Sequence, residues 1–256
     1  MLMLLKAYIK KEAIIAKRYL ANTIGGGITI FLVFLLIFYG YSGVVGFNLG
    51  DDSKESLILS FTIWILALSI YQNITDSIEE ETRIGTIEQL YLSRYSFLSV
   101  ITFKSFAMLL IDLIQIILLL LLMMLVTQTF LDFQSLFSIL FLTIFISLNF
   151  WGLGYALAGG VLLYKKMGTY LQIFQFILLG LMFVPAEANP LFKLIPPVWG
   201  LNLLQDVMVN KSSIAAFSLS DYLYLIIPGL ISLLLGVIIF KRSLSKATEK
   251  SILGFH

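Results

Sequence analysis

The chain has no cysteine, one histidine, five prolines and only 12% charged residues among its 256. The absence of cysteine excludes disulfides and thiolate metal sites. The single histidine is His256, the last residue, and a terminal side chain is more often part of a tail than a ligand. The usual nucleophile–base pairs and histidine zinc sites are therefore missing. The dipeptide Gly-Lys occurs nowhere, which removes the phosphate loop G-x-x-x-x-G-K-[ST]. These absences lead us to expect a chain that is not an enzyme and holds no cofactor or metal. A net charge of +2 is too small to argue for a nucleic-acid partner.

Hydrophobic residues make up 59% of the sequence, far above a soluble domain of this length. Apolar runs long enough to cross about 30 Å of hydrocarbon lie near 22–46, 57–75, 100–128, 136–162, 169–185 and 222–240. This pattern predicts an all-α, polytopic membrane protein of six spans forming a single domain over 1–256. The first twenty residues carry Lys6, Lys10, Lys11, Lys17 and Arg18 in place of a short apolar core. The first span is thus expected to stay as an anchor and not to be cleaved.

Orientation follows from where Lys and Arg cluster at the span ends. One side collects the N-terminal cations, then Arg83, Arg94 and Lys104, then Lys165 and Lys166, then Lys241, Arg242, Lys246 and Lys250. The other has Lys54, Lys193 and Lys211. Both termini are expected in the cytoplasm. The segment 1–21 reads as an amphipathic interfacial helix, with Leu5, Tyr8, Ile15, Ala16 and Tyr19 on one side and Lys6, Lys10 and Lys17 opposite. Glu12 projects from the apolar side and needs a partner.

The charged loop 76–99 has the richest local pattern. Thr86 followed by Gln89 fits a capping box, which predicts a short helix starting near Thr86. Gly85 permits the sharp turn into it. Ile87, Leu90 and Tyr91 share a face at spacings of three and four, and so short a helix is expected to dock that face on a partner.

These residues resemble the first cytoplasmic loop of the membrane subunits of ABC-2 type ABC transporters. That loop carries a pattern close to E-x-E-x-G-T-x-E-x-L, matched here by Glu79, Glu81, Arg83, Gly85, Thr86, Glu88, Gln89 and Leu90. Arg94 stands where many members have proline. The resemblance implies that Glu81, Arg83, Gly85, Thr86, Ile87, Glu88, Gln89, Leu90 and Tyr91 form a coupling helix seated in a separate ATPase subunit, where ATP and Mg would be held. It implies an exporter in the prokaryotic cytoplasmic membrane, working as a dimer with a second permease copy or close relative. The segment 1–21 would be the connecting helix that also touches the ATPase. The spans, rich in Leu, Ile and Phe, lean toward a hydrophobic or amphipathic cargo such as a drug, peptide, lipid or lipid-linked glycan.

The stretch 185–215 contains Pro185, Pro190, Pro196 and Pro197, which cut it into short pieces. Short re-entrant helices dipping into the outer leaflet are expected, since irregular backbone at membrane depth needs protein or a wet cavity to satisfy it. The family has such a pair before its last span. Within the spans, Asp112, Gln115 and Asn149 either line a translocation path or hold helices together. Gln172 and Gln175 fit packing. Gly154 with Ala158, and Ala156 with Gly160, have the spacing of close helix contacts. Gly25–Gly27 is expected to be the joint between the surface helix and the first span, and Pro228-Gly229 to bend the last span. Asp112 also keeps a different class open, an ion-coupled secondary transporter or channel working without an ATPase.

Overall fold

The structure, a computed structural model, describes residues 2–45, 50–133, 135–164 and 166–249, except for the side chains of Leu2, Val44, Val45, Glu88 and Pro190. His256, Lys165, Lys250 and the tip of the first predicted span fall outside these. Among the described residues there are nine α-helices, two short 3-10 segments and no strand.

Helix α1 (Leu2–Arg18) leads into α2 (Leu20–Val45) through a joint at Tyr19. The expected joint at Gly25–Gly27 is not found: these glycines lie inside α2, Gly25 and Gly26 face open space, and Gly27 fits against the Gln115 side chain. Only one stripe of α2 turns inward, where Phe31, Phe34 and Phe38 stack in series and reach Phe61. The stripe follows from their spacings of three and four.

Helix α3 (Asp51–Ile84) is the hub, buried at most positions from Leu57 to Ile78, as expected of a helix that is apolar nearly all round from Leu57 to Tyr71. Its 34 residues extend about 51 Å, some 20 Å more than a hydrocarbon core needs. The excess carries the charged residues beyond Ser77. After α4 (Ile87–Tyr91) come α5 (Phe97–Thr127) and α6 (Leu136–Tyr164). Ser96 caps α5 by accepting from the Ser99 amide at 3.3 Å. Helices α2, α3, α5, α6 and α9 (Leu219–Glu249) are long and apolar enough to cross a membrane.

Helix α7 (Gly168–Leu181) has 14 residues, about 21 Å, and is shorter than the predicted span 169–185. Turns continue it: the Phe183 amide donates to Gly180 and the Val184 amide to Leu181 before Pro185 intervenes. It runs antiparallel to α3. The Leu171 carbonyl meets the Tyr71 hydroxyl at 3.5 Å, the Gln175 carbonyl meets Trp64 Nε1 at 2.9 Å, and Met182–Val184 lie near Ser53 and Ser56.

The most extensive helix contact joins α6 to α9, and glycine sets it. A Cβ on Gly236 would lie 2.0 Å from the Gly152 carbonyl oxygen, and one on Gly152 would lie 2.3 Å from the Ser232 backbone. Gly159 meets Ser243, and Gly229 meets Phe145. The pairs 145–229, 152–236 and 159–243 recur every seven residues at a constant offset, so the two helices run parallel with a coiled-coil-like seam. The four-residue motif read from the sequence belongs to a different contact, where Gly154 lets Tyr71 and Ile74 of α3 come close. Pro228 lies within α9 without ending it.

The proline-cut stretch folds as a 3-10 segment (Pro190–Leu194), α8 (Val198–Met208) and a second 3-10 segment (Ile214–Ala216). Trp199, Leu201, Leu203, Leu204 and Val207 of α8 are buried. Gly200 fits against Ile146 of α6 and Leu225 of α9, near the beginnings of both helices.

Candidate functional site

At the charged end of α3 the chain reverses through Gly85, whose φ of 78° and ψ of 19° place it in the left-handed region. Glycine is suited there because a Cβ would crowd the following carbonyl. The Gly85 amide closes on Thr82 and the Thr86 amide on the Glu81 carbonyl. Helix α4 then starts as expected from Thr86, whose carbonyl accepts from the Leu90 amide at 3.1 Å.

The capping chemistry differs from the predicted box. The Thr86 hydroxyl donates to Glu81 Oε2 in a short contact, so it is occupied by a carboxylate and not by the helix amides. The other oxygen of Glu81 accepts from Lys104 Nζ at 2.8 Å, and Lys104 also donates to Glu80 Oε2 at 2.7 Å. Lys104 is fully buried. One lysine thus ties the end of α3 to α5, and Glu81 passes that tie on to Thr86, the residue just before α4. The loop motif does not point to Lys104, which by sequence is one of the cations near the span ends. The available signal was its place as a lone cation within an apolar run, where a charge needs partners.

The ladder continues along α3 and α5. Ser105 donates to the Asn73 carbonyl at 3.0 Å, Ser77 and Ser105 hydroxyls lie 3.4 Å apart, and Asn73 Nδ2 donates to Asp112 at 2.8 Å. Hydrogen bonds to charged groups are stronger than neutral ones, so this seam is stiffer than apolar packing alone would make it.

Helix α4 divides the expected docking face. Ile87 is buried at 2% exposure within its own chain and Leu90 packs partly on the core, so neither forms an outward apolar patch. The outward surface consists of Tyr91, Leu92, Gln89, Arg83 and Ile84. Tyr91 packs at 6.4 Å on Phe97, which stacks on Phe240 of α9. Glu88 lies in α4, with its side chain outside the described set.

Asp112 and Gln115 do share a region, as their spacing suggested. Both line a groove of 710 Å³ between α1, α2 and α5. Gln115 donates to the Thr23 carbonyl at 3.3 Å. Asp112 lies midway along α5, where it faces Asn73 and Ser69 of α3 and shares the groove with Glu12 of α1. Glu12 finds Lys11 at 3.8 Å, with its own side chain 11% exposed. Burial pushes the Glu12 carboxyl above its ordinary range, against the pull of Lys11 and Lys104, while Asp112 and Glu80 add repulsion. Asn149 belongs to neither place: it is buried on α6, its side-chain amide donates to the Ile146 carbonyl at 3.3 Å, and Ser232 of α9 donates to its backbone carbonyl at 3.1 Å. A second cavity, of 590 Å³, opens at the opposite end of α3, where Ser53, Ser56, Ser60, Asn202 and Gln205 meet Pro185.

Five helices long and apolar enough to cross a membrane define a multi-pass helical membrane protein. The family model described as ABC-2 family transporter protein matches residues 48–238, and the chain belongs to that family. No curated protein and no solved structure matches it.

Proposed function

We propose that this chain is the permease subunit of an ABC exporter, paired with a second copy or close relative and driven by a separate ATPase that holds ATP and Mg. Helix α4 is the coupling helix. The observation that carries this reading is the bond from Lys104 through Glu81 to Thr86. It fixes a five-residue helix that could not hold its shape alone to two long spans at once. Motion imposed on α4 therefore passes into α3 and α5 without melting the element between.

In this reading α7 with its following turns completes a sixth crossing, which puts both termini in the cytoplasm of a prokaryotic cell membrane. The parallel course of α6 and α9 supports it, because the chain must return between them. Helix α8 is the re-entrant element at the outer face. A hydrophobic or amphipathic cargo suits the apolar spans.

The test is recovery of the tagged chain from its native membrane in mild detergent, with mass spectrometry of what accompanies it. A stoichiometric P-loop ATPase should copurify, and should be lost when Gly85–Leu92 is replaced by a flexible linker. Recovery of the intact chain with no ATPase would overturn the reading.

A further inference from the structure

The groove between α1, α2 and α5 combines features that the coupling role leaves unused. Its volume of 710 Å³ suits a drug-sized ligand. Its walls are almost wholly apolar, with Ile24, Ile28, Ile114 and Leu118 each more than half exposed on the groove. Two carboxylates, Glu12 and Asp112, face the same space from different helices. Asp112 is met by the amide of Asn73 and the hydroxyl of Ser69, both neutral. Glu12 has Lys11 at 3.8 Å, a side chain 44% exposed to the outside. The exposed Lys17 also borders the groove, and Lys11 and Lys104 act on Glu12, so Asp112 is the carboxylate whose contacts are both neutral. A carboxylate in apolar surroundings gains most from a cation that is itself easily desolvated.

We propose that this groove binds lipophilic monocations, molecules with an apolar body and one diffuse or amine positive charge, which enter it from the leaflet in which α1 lies. The apolar body replaces lipid against the walls from Ile24 to Leu118, and the charge sits between Glu12 and Asp112. Gln115, held to the Thr23 carbonyl, links α5 to the α1–α2 joint, so an occupant touches both the surface helix and a span bearing Lys104. The proposal rests on the reading of the chain as an exporter and narrows its cargo.

The experiment is equilibrium binding of radiolabelled tetraphenylphosphonium to the full chain in nanodiscs, without any ATPase, beside the uncharged triphenylphosphine oxide. Saturable binding of the cation is expected, weakened about tenfold or more in Glu12→Gln/Asp112→Asn through loss of the charge-assisted contacts, with thermal stability checked for each variant. Leu118→Trp, which fills the groove from an exposed position, should weaken it as well while leaving the fold intact. Equal affinity for the neutral compound, unchanged affinity in the double variant, or no saturable binding would each overturn the proposal. So would cysteines at Ile24 and Leu118 crosslinking between copies while excluding the cation, since a second chain would then be the occupant. Because no ATPase is present, a failure here is distinct from failure of the copurification test.

Discussion

Lys104 is the residue on which the coupling end depends. Taking an ammonium out of water is costly, and here two carboxylates at 2.7 and 2.8 Å offset that cost. Lys104→Met leaves Glu80 and Glu81 facing each other with no cation between them. A loss of about 3–5 kcal/mol is expected, the range for breaking a buried pair from one side, read as a drop in thermal midpoint in detergent. Adding Glu80→Gln and Glu81→Gln to that variant should recover most of it; a single variant as stable as the parent would refute the assignment. Glu12 carries a pH dependence. Its folded pKa is raised above the ordinary 4.5, so the neutral form is the one the docked helix favours. Docking of α1 is therefore tightest below that ordinary value and loosens as pH rises through the raised one. Tyr8, Lys11, Lys104, Glu80 and Asp112 are the charged or titratable groups acting around it. Hydrogen exchange of the α1 amides, corrected for intrinsic rate, should slow on acidification, and Glu12→Gln should flatten that trend.

At the scale of helices, glycine placement separates positions of contact from positions of mere composition. Gly236 sits where a Cβ would strike the Gly152 carbonyl, whereas Gly26 has nothing within reach. Gly236→Ala is expected to force α6 and α9 apart at about 1–3 kcal/mol, the usual cost of overpacking. Gly26→Ala should cost nothing and should stiffen α2 by about 1 kcal/mol through helix propensity. Thermal midpoints of the two variants should move in opposite directions, and a common direction would mean the seam is misassigned. The same contrast shows what was legible beforehand. Helix existence, the start of α4 and the turn at Gly85 follow from local patterns of a few residues. Partners do not: Glu81 meets Lys104 across 23 positions and Gly152 meets Gly236 across 84, and no wheel drawn on one helix shows which face a distant helix will cover. The joint at Tyr19 was missed for a related reason, since three glycines weaken a helix without obliging it to break when the surrounding residues can continue it. Asp112 and Gln115 were legible as a pair because one helix fixes their spacing, while the α9 neighbours of Asn149 could not be read from its own helix.

For the whole molecule the issue is parity. Helices α2, α3, α5, α6 and α9 are five crossings by length, and an odd number would set the termini on opposite faces. Yet α6 and α9 point the same way along their glycine seam. In the proposed reading the chain climbs back between them through α7, which runs antiparallel to α3 from Tyr71 to the neighbourhood of Ser53. The natural absence of cysteine makes this directly measurable, since any introduced thiol is the sole one. Lys6→Cys, Ser93→Cys and Ser245→Cys should react with an impermeant maleimide from one face of sealed vesicles, and Ser53→Cys and Ser212→Cys from the other. If α7 failed to cross, Ser212→Cys would label together with Lys6→Cys and Ser245→Cys would change sides. That pattern would separate the charged end of α9 from Ser93, next to α4. The stack from Tyr91 through Phe97 to Phe240 holds those regions together, so labelling of Ser93→Cys and Ser245→Cys on the same face is the outcome the packing requires.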